Sequence, residues 1–187
     1  AFHGDDPHTS EAYGRIVSTR HFDRLRGLLS GGTVCIGGET DASDRYIAPT
    51  VLVDVDQSSA LMEEEIFGPL LPVIEVDDVD AAISFINARP HPLALYVFSE
   101  RTAVIDRVID RTTAGGVTVN GTIMHLTNPA LPFGGIGESG MGAYHGESGV
   151  RVFQHLEPVL RRSTKMDPSI AYPPYTERKK KLLRRFL

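Results

Sequence analysis

Apolar residues recur at helical spacing in three stretches of this chain. In residues 18–30, Phe22, Leu25, Leu28 and Leu29 share one face, and Gly31-Gly32 ends the run. In 78–89, Val79, Ala82, Ile83 and Ile86 keep the i, i+3, i+4, i+7 spacing up to Pro90. In 102–111, Val104, Ile105, Val108 and Ile109 point inward, with Gly115-Gly116 beyond. Shorter runs have strand character. Val34-Cys35-Ile36, closed by Gly37-Gly38, reads as a buried strand. Residues 46–54 (YIAPTVLVD) are rich in β-branched side chains and carry Pro49 near the start, which predicts a strand at a sheet edge. Residues 58–67 read as a short helical or irregular piece before Gly68-Pro69. Strands are predicted over 71–76, 93–98 and 117–120, the second of them continuously apolar and suited to cover on both faces. Residues 150–160 partly alternate and predict one more strand, placed after the sheet is complete and so a candidate for pairing across subunits.

From residue 71 onward the order is β-α-β-α-β, which predicts an α/β fold with a parallel sheet and right-handed crossovers. Ligands of such sheets sit beyond the carboxyl ends of the strands. Asn120 lies at such an end, directly before a stretch, 134–149, that holds seven of the chain's 18 glycines. Glycine at that density suits a backbone that turns sharply or passes close to another group. The large side chains there, Phe133, Met141, Tyr144 and His145, read as a site wall on a loop. Residues 135–140 match G-x-G-x-x-G letter for letter, but no strand run precedes them and no periodic helix follows, so they are not a dinucleotide fingerprint.

Composition narrows the function classes. Of 187 residues, 41% are hydrophobic and 23% charged, ordinary for a globular protein with one sizeable core. The net charge of −5 is unevenly spread, because 177–187 (ERKKKLLRRFL) carries +5 and leaves −10 on the other 176 residues. An acidic body argues against nucleic acid as a partner. The basic tail reads either as a solvated terminus or as peripheral contact with an anionic surface such as a membrane. A single cysteine, Cys35, excludes an internal disulfide framework and fits a reducing, cytoplasmic location. Set between Val34 and Ile36 with no adjacent His or Lys, it reads as a buried structural thiol. His3, His8, His21, His91 and His155 have no spacing that suggests a metal site. The opening AFHGDDPHTSEAYG is a polar, loop-like run without an initiator methionine and reads as the middle of a longer protein.

Three segments carry a family resemblance. Residues 64–69 (EEIFGP), 116–120 (GVTVN) and 132–142, with PFGG followed by SGMG, resemble signatures of the aldehyde dehydrogenase superfamily. GGETD (37–41), RYIAPTVL (45–52), PLALYVFS (92–99), IMH (123–125) and GMGAYHG (140–146) are similar to the class 3 and fatty aldehyde dehydrogenases. The resemblance implies NAD- or NADP-dependent oxidation of an aldehyde to a carboxylate through a cysteine thiohemiacetal. It also implies that the nucleophile, oxyanion donor, base and dinucleotide-binding domain lie upstream, so no catalytic residue is assigned in this chain and the chain is expected to be inactive alone. On this reading 1–149 is the carboxy-terminal part of an incomplete catalytic domain, and 150–187 is an oligomerisation strand with a basic tail, in a homodimer.

Taken residue by residue, the resemblance makes Glu65 the holder of the nicotinamide ribose hydroxyls and Phe67 a neighbour of the nicotinamide. Alone, the acidic run 63–65 would read as a solvated face, and the IFGP that follows reverses that reading. Asn120 and Phe133 would line the active-site mouth, although Asn120 reads equally as a strand-end turn former. Ile123, Met124 and His125 would shape the aldehyde pocket, and His145 would be a structural hydrogen-bonder or a polar wall. Two other readings stand beside this one: a stand-alone fragment or pseudoenzyme acting as a dimerisation or binding module, and an acylating semialdehyde dehydrogenase that passes its acyl group to coenzyme A.

Overall fold

The first helix, α1 (Thr19–Leu28), begins where Ser18 accepts a hydrogen bond from the His21 amide at 3.3 Å, the N-cap that its hydroxyl suits. It buries Phe22, Leu25 and Leu28, the predicted face, and ends in a single 3-10 turn, Leu29–Gly31. These residues belong to a computed structural model that describes residues 3, 4, 6–165 and 167–185. The chain divides into two compact units, one of Ala1–Arg89 with Asp110–Thr112 and one of Pro90–Ile109 with Thr113–Leu187.

In the first unit α1 packs on a sheet of β1 (Thr33–Ile36), β4 (Thr50–Val53) and β5 (Leu70–Pro72), in the order β1-β4-β5. β4 pairs antiparallel with β1 and parallel with β5. Two further short strands, β2 (Thr40–Asp41) and β3 (Tyr46–Ile47), form an antiparallel ladder of their own. The core joins Phe22, Leu25 and Leu28 to Ile47, Leu52, Leu61 and Leu70, with Ile66 among the half-buried residues against it. Each such side chain contributes about 1.5–3 kcal/mol by leaving water. Leu61 comes from α2 (Ala60–Glu63), the short helical piece expected there. Helix α3 (Val79–Asn87) completes the unit, capped by the Asp78 carboxylate, which accepts from the Ala81 amide at 2.8 Å.

The second unit contains β6 (Ala94–Val97) and β7 (Gly116–Val119), paired in parallel from Ala94↔Gly116 to Val97↔Val119, with α4 (Thr102–Arg111) between them in sequence. Parallel strands alternating with helices bear out the α/β class. Beyond the glycine-rich stretch come α5 (Gly146–Val152) and α6 (Glu177–Leu183).

Several expectations are corrected. β1 is a strand, but all four of its residues are exposed, and among the described residues β4 is its one ladder partner. Cys35 is therefore exposed too. The predicted strand 46–54 is broken at Ala48-Pro49, and its second half is the central strand of the sheet. Pro49 precedes β4, so its missing N–H interrupts no ladder. β5 stops at Pro72 and belongs to a different sheet from β6 and β7, so the parallel strands do not form one continuous sheet within the described residues. β6 is covered less than a doubly buried strand, with only Val97 fully buried, and Ile109 on α4 is exposed.

The predicted strand 150–160 is not one in this chain. Residues 150–152 end α5, which Glu147 and Arg151 brace with an ion pair at 2.6 Å one turn apart. Residues 154–163 have neither helix nor strand. A strand needs a neighbour for its backbone donors and acceptors, and none of the described residues pairs there. In the basic tail 177–183 is helical, with the Thr176 hydroxyl accepting from the Lys179 amide, and none of its side chains is buried. No helix among the described residues is long and apolar enough to cross a membrane.

Candidate functional site

The segment between α2 and β5 has no helix or strand, and α1 shapes it from behind. The Arg24 guanidinium donates to the carbonyls of Glu65 at 3.1 Å and Ile66 at 2.7 Å, and meets the Glu64 carboxylate at 3.5 Å. At the next residue of α1, Leu25 lies so close to Gly68 that an added Cβ would sit 2.6 Å from Leu25 Cδ2. Between these anchors Phe67 takes φ +46°, and the residue is 85% exposed. A non-glycine residue in that region costs of order 1–3 kcal/mol and persists where its surroundings over-determine it. Glu65 is exposed, and among the described residues its carboxylate has no hydrogen-bond or ion-pair partner. The segment thus presents a free carboxylate and a free aromatic ring, two residues apart, on a pinned backbone.

The other predicted site residues lie in the second unit. Asn120, at φ +51°, donates its backbone N–H to Val97 O at 2.8 Å. Its side chain bridges to Ser99: Oδ1 accepts from the Ser99 amide at 2.8 Å, and Nδ2 donates to the Ser99 carbonyl at 3.0 Å. This amide braces the ends of β6 and β7, which is the turn-forming reading of Asn120. Ile123 opens the next turn at φ +66° and is exposed. His125 is buried, with Nδ1 2.9 Å from Thr118 Oγ1. Its ring lies against Gly116, where an added Cβ would come within 2.8 Å of Cδ2.

His125, Phe133 and His145 do come together. Phe133 lies 5.8 Å from the His125 ring, 5.8 Å from that of His145 and 5.4 Å from that of Tyr144. Tyr96 approaches His125 at 6.1 Å. Phe133 and Tyr144 also exchange backbone hydrogen bonds, 2.9 Å in each direction, which close the glycine-rich stretch into a loop. Among the described residues His125 Nε2 and His145 Nδ1 are buried without a hydrogen-bond partner, so the packing behind this aromatic wall holds two unsatisfied polar atoms. Residues 135–140 fold on themselves, with Ser139 Oγ accepting from the Ile136 amide and donating to the Ile136 carbonyl, both at 3.0 Å. That is a local turn rather than a phosphate cradle.

Sequence reading missed Arg24, Ser99, Thr118 and Tyr96. Arg24 reads as an ordinary cation on the polar face of a helix, and nothing local says that it reaches forty residues along the chain. Among the described residues no group of three or more His, Cys, Asp or Glu side chains is arranged to hold a metal ion. A cleft of about 650 Å³ in the first unit is lined by His3, His8, Ile36, Glu39, Tyr46 and Pro49, with none of the predicted site residues. Burial is the main reason that the phenols of Tyr13 and Tyr46 in this region sit above their ordinary pKa.

The described residues thus combine an α/β fold with a carboxylate and ring on a pinned loop in one unit and an aromatic wall after a strand-end asparagine in the other. Residues 3–159 match the sequence profile of the aldehyde dehydrogenase family, and the chain belongs to that family. It is 51% identical over 184 residues to rat "Aldehyde dehydrogenase family 3 member B1", covering 97% of this chain and 39% of that protein. It is 52% identical over 180 residues to mouse "Aldehyde dehydrogenase family 3 member A2", covering 95% and 37%. The chain thus spans about two fifths of the length of these curated relatives. Among solved structures, the substrate-bound state of Staphylococcus aureus AldH superposes with a TM-score of 0.80 at 44% identity, covering all of this chain and 41% of that one. The Mycobacterium tuberculosis aldehyde dehydrogenase complexed with NAD+ superposes at 0.69 and 28% identity, covering 77% and 31%.

Proposed function

We propose that this chain is the carboxy-terminal portion of a class 3 aldehyde dehydrogenase that oxidises aldehydes to carboxylates through a cysteine thiohemiacetal. The observation that carries the reading is the loop 64–69, which holds its backbone fixed while leaving Glu65 and Phe67 free. A carboxylate accepts from two vicinal hydroxyls at once, which is what the ribose of a nicotinamide nucleotide offers. An exposed ring beside it suits the flat face of a nicotinamide. The residues present therefore fit NAD or NADP, with Glu65 and Phe67 as the holders. When bound, the dinucleotide supplies the hydride acceptor for the oxidation. Phe133 and Ile123 form apolar wall for the aldehyde chain, with the rings of His125 and His145 packed against Phe133.

The nucleophile, oxyanion donor and base come from outside these 187 residues, and the chain alone is inactive. Cys35 is exposed on an edge strand and makes no side-chain hydrogen bond among the described residues, so no base activates it. The exposed apolar run at 150–160 supports a subunit contact in a homodimer, and the cationic helix α6 supports peripheral contact with anionic membrane.

The test uses the full-length enzyme and follows NADH formation with an aldehyde. Glu65→Gln is expected to lower kcat/KM about 10- to 100-fold, because a hydrogen bond to a charged group contributes about 1.5–3 kcal/mol. The nucleophilic thiol should keep its reactivity towards alkylating reagents. Cys35→Ser should leave the rate unchanged. Unaltered kinetics in Glu65→Gln would remove Glu65 from the site, and loss of activity in Cys35→Ser would reassign the nucleophile.

A further inference from the structure

We infer that Arg24 is the positioning residue of the cofactor loop, an inference that rests on the reading of Glu65 and Phe67 above. Arg24 does not itself present a group to the ligand. It acts on the backbone between the two residues that do.

Two consecutive carbonyls, those of Glu65 and Ile66, accept from one guanidinium at 3.1 and 2.7 Å. Holding both fixes the two peptide planes on either side of Ile66 and therefore the direction in which the chain enters Phe67. That grip is what Phe67 needs, because at φ +46° it occupies a region that a free backbone leaves readily. The Arg24 side chain is only 28% exposed, so its charge-assisted bonds are screened less than those of a surface cation. A guanidinium presents its donors in a rigid fork, whereas a lysine ammonium is a point charge on a flexible stem. The far end of the loop is anchored separately, by the contact of Leu25 with Gly68 and by Ile66 against the core. Loss of the Arg24 donors should therefore loosen the backbone on either side of Ile66, at 64–65 and at 67, while the Ile66 side chain and Gly68 stay seated. The loop would then populate its binding geometry for only part of the time, and the apparent affinity falls by that fraction.

The experiment compares Arg24→Met, Arg24→Lys and Glu65→Gln in the full-length enzyme. Methionine keeps an aliphatic stem and removes the donors. Four quantities are read: the NAD dissociation constant by calorimetry, amide hydrogen exchange of 64–68 without NAD, the thermal midpoint, and alkylation of the nucleophilic thiol. In Arg24→Met we expect NAD binding about tenfold weaker, which corresponds to a competent fraction of about one tenth. Exchange at 64–68 should be faster, with midpoint and thiol alkylation close to the parent. Arg24→Lys should fall between the two. If Arg24→Met leaves NAD binding and exchange unchanged while Glu65→Gln weakens binding, the loop reading stands and the role of Arg24 is overturned. If Glu65→Gln also binds NAD as the parent does, the loop reading fails and this inference falls with it. A parallel loss of midpoint, thiol reactivity and binding in Arg24→Met would make Arg24 a general structural prop, which also overturns it.

Discussion

Phe67, Asn120, Ile123 and His145 all have positive φ, and all four are residues that the sequence singles out for the site. For β-branched Ile123 the left-handed region is a steric outlier, and the contacts around each of these residues must hold it there. Asn120 is held by its two bonds to Ser99, and Phe67 is bracketed by Arg24 and Gly68. A gentler instance of local control is Asp56. The Ser58 hydroxyl, 2.7 Å from its carboxylate, is the largest cause of an Asp56 pKa below the ordinary 3.8, followed by the Ser58 backbone amide. Because the folded pKa is depressed, the stability this group adds is complete above about pH 4 and is lost as pH falls through the folded value. Asp41, bonded to Ser43 in the same manner, shares that direction. Ser58→Ala is expected to move the Asp56 titration upward in a carboxylate-resolved NMR experiment and to leave that of Asp41 in place. An unmoved Asp56 curve would show that the hydroxyl bond is not formed in solution.

Strand β7 meets the turn after it through one tight contact. Gly116 faces the His125 ring, and Thr118, two residues on, holds that ring by a 2.9 Å hydrogen bond. Gly116→Ala therefore pushes a methyl against a ring that cannot swing away, and should cost about 1–3 kcal/mol of stability, the usual range for overpacking. Combined with Thr118→Val, which releases the ring, the same substitution should cost less. Additive denaturation free energies would refute the coupling. The three predicted helices were legible because their signal is local: the apolar spacing of Phe22, Leu25 and Leu28 reports a face directly. How far a strand is covered was not legible, since Val34-Cys35-Ile36 looks the same in sequence whether or not another element lies against it. Residues 150–160 failed for the same reason, because a strand is a property of a pair. Glu65 and Phe67 could be read from their motif, whereas the role of Arg24 depends on a contact forty residues away.

The described residues leave Phe153, the C-cap of α5, 92% exposed, and Leu156 and Leu160, on the irregular segment after it, each 85% exposed. Apolar groups in that number on one run mark an association surface, and a two-fold contact would use each run once. The full-length protein is expected to scatter light as a dimer, and Leu156→Asp with Leu160→Asp to shift it towards monomer. A monodisperse monomer of the unaltered protein at micromolar concentration would end the proposal of this subunit contact.

One feature of the second unit reaches beyond the protein to the gene that encodes it. A Cβ on Gly115 would lie 2.2 Å from the Gly134 carbonyl oxygen, and one on Gly134 would lie 2.0 Å from that of Gly142. Three loop segments thus pass one another at backbone distance, and the obstacle at each crossing is main chain, which no change of rotamer can move aside. Every other amino acid carries a Cβ, so a coding change at either glycine must first displace main chain, although neither position offers a side chain that binds or reacts.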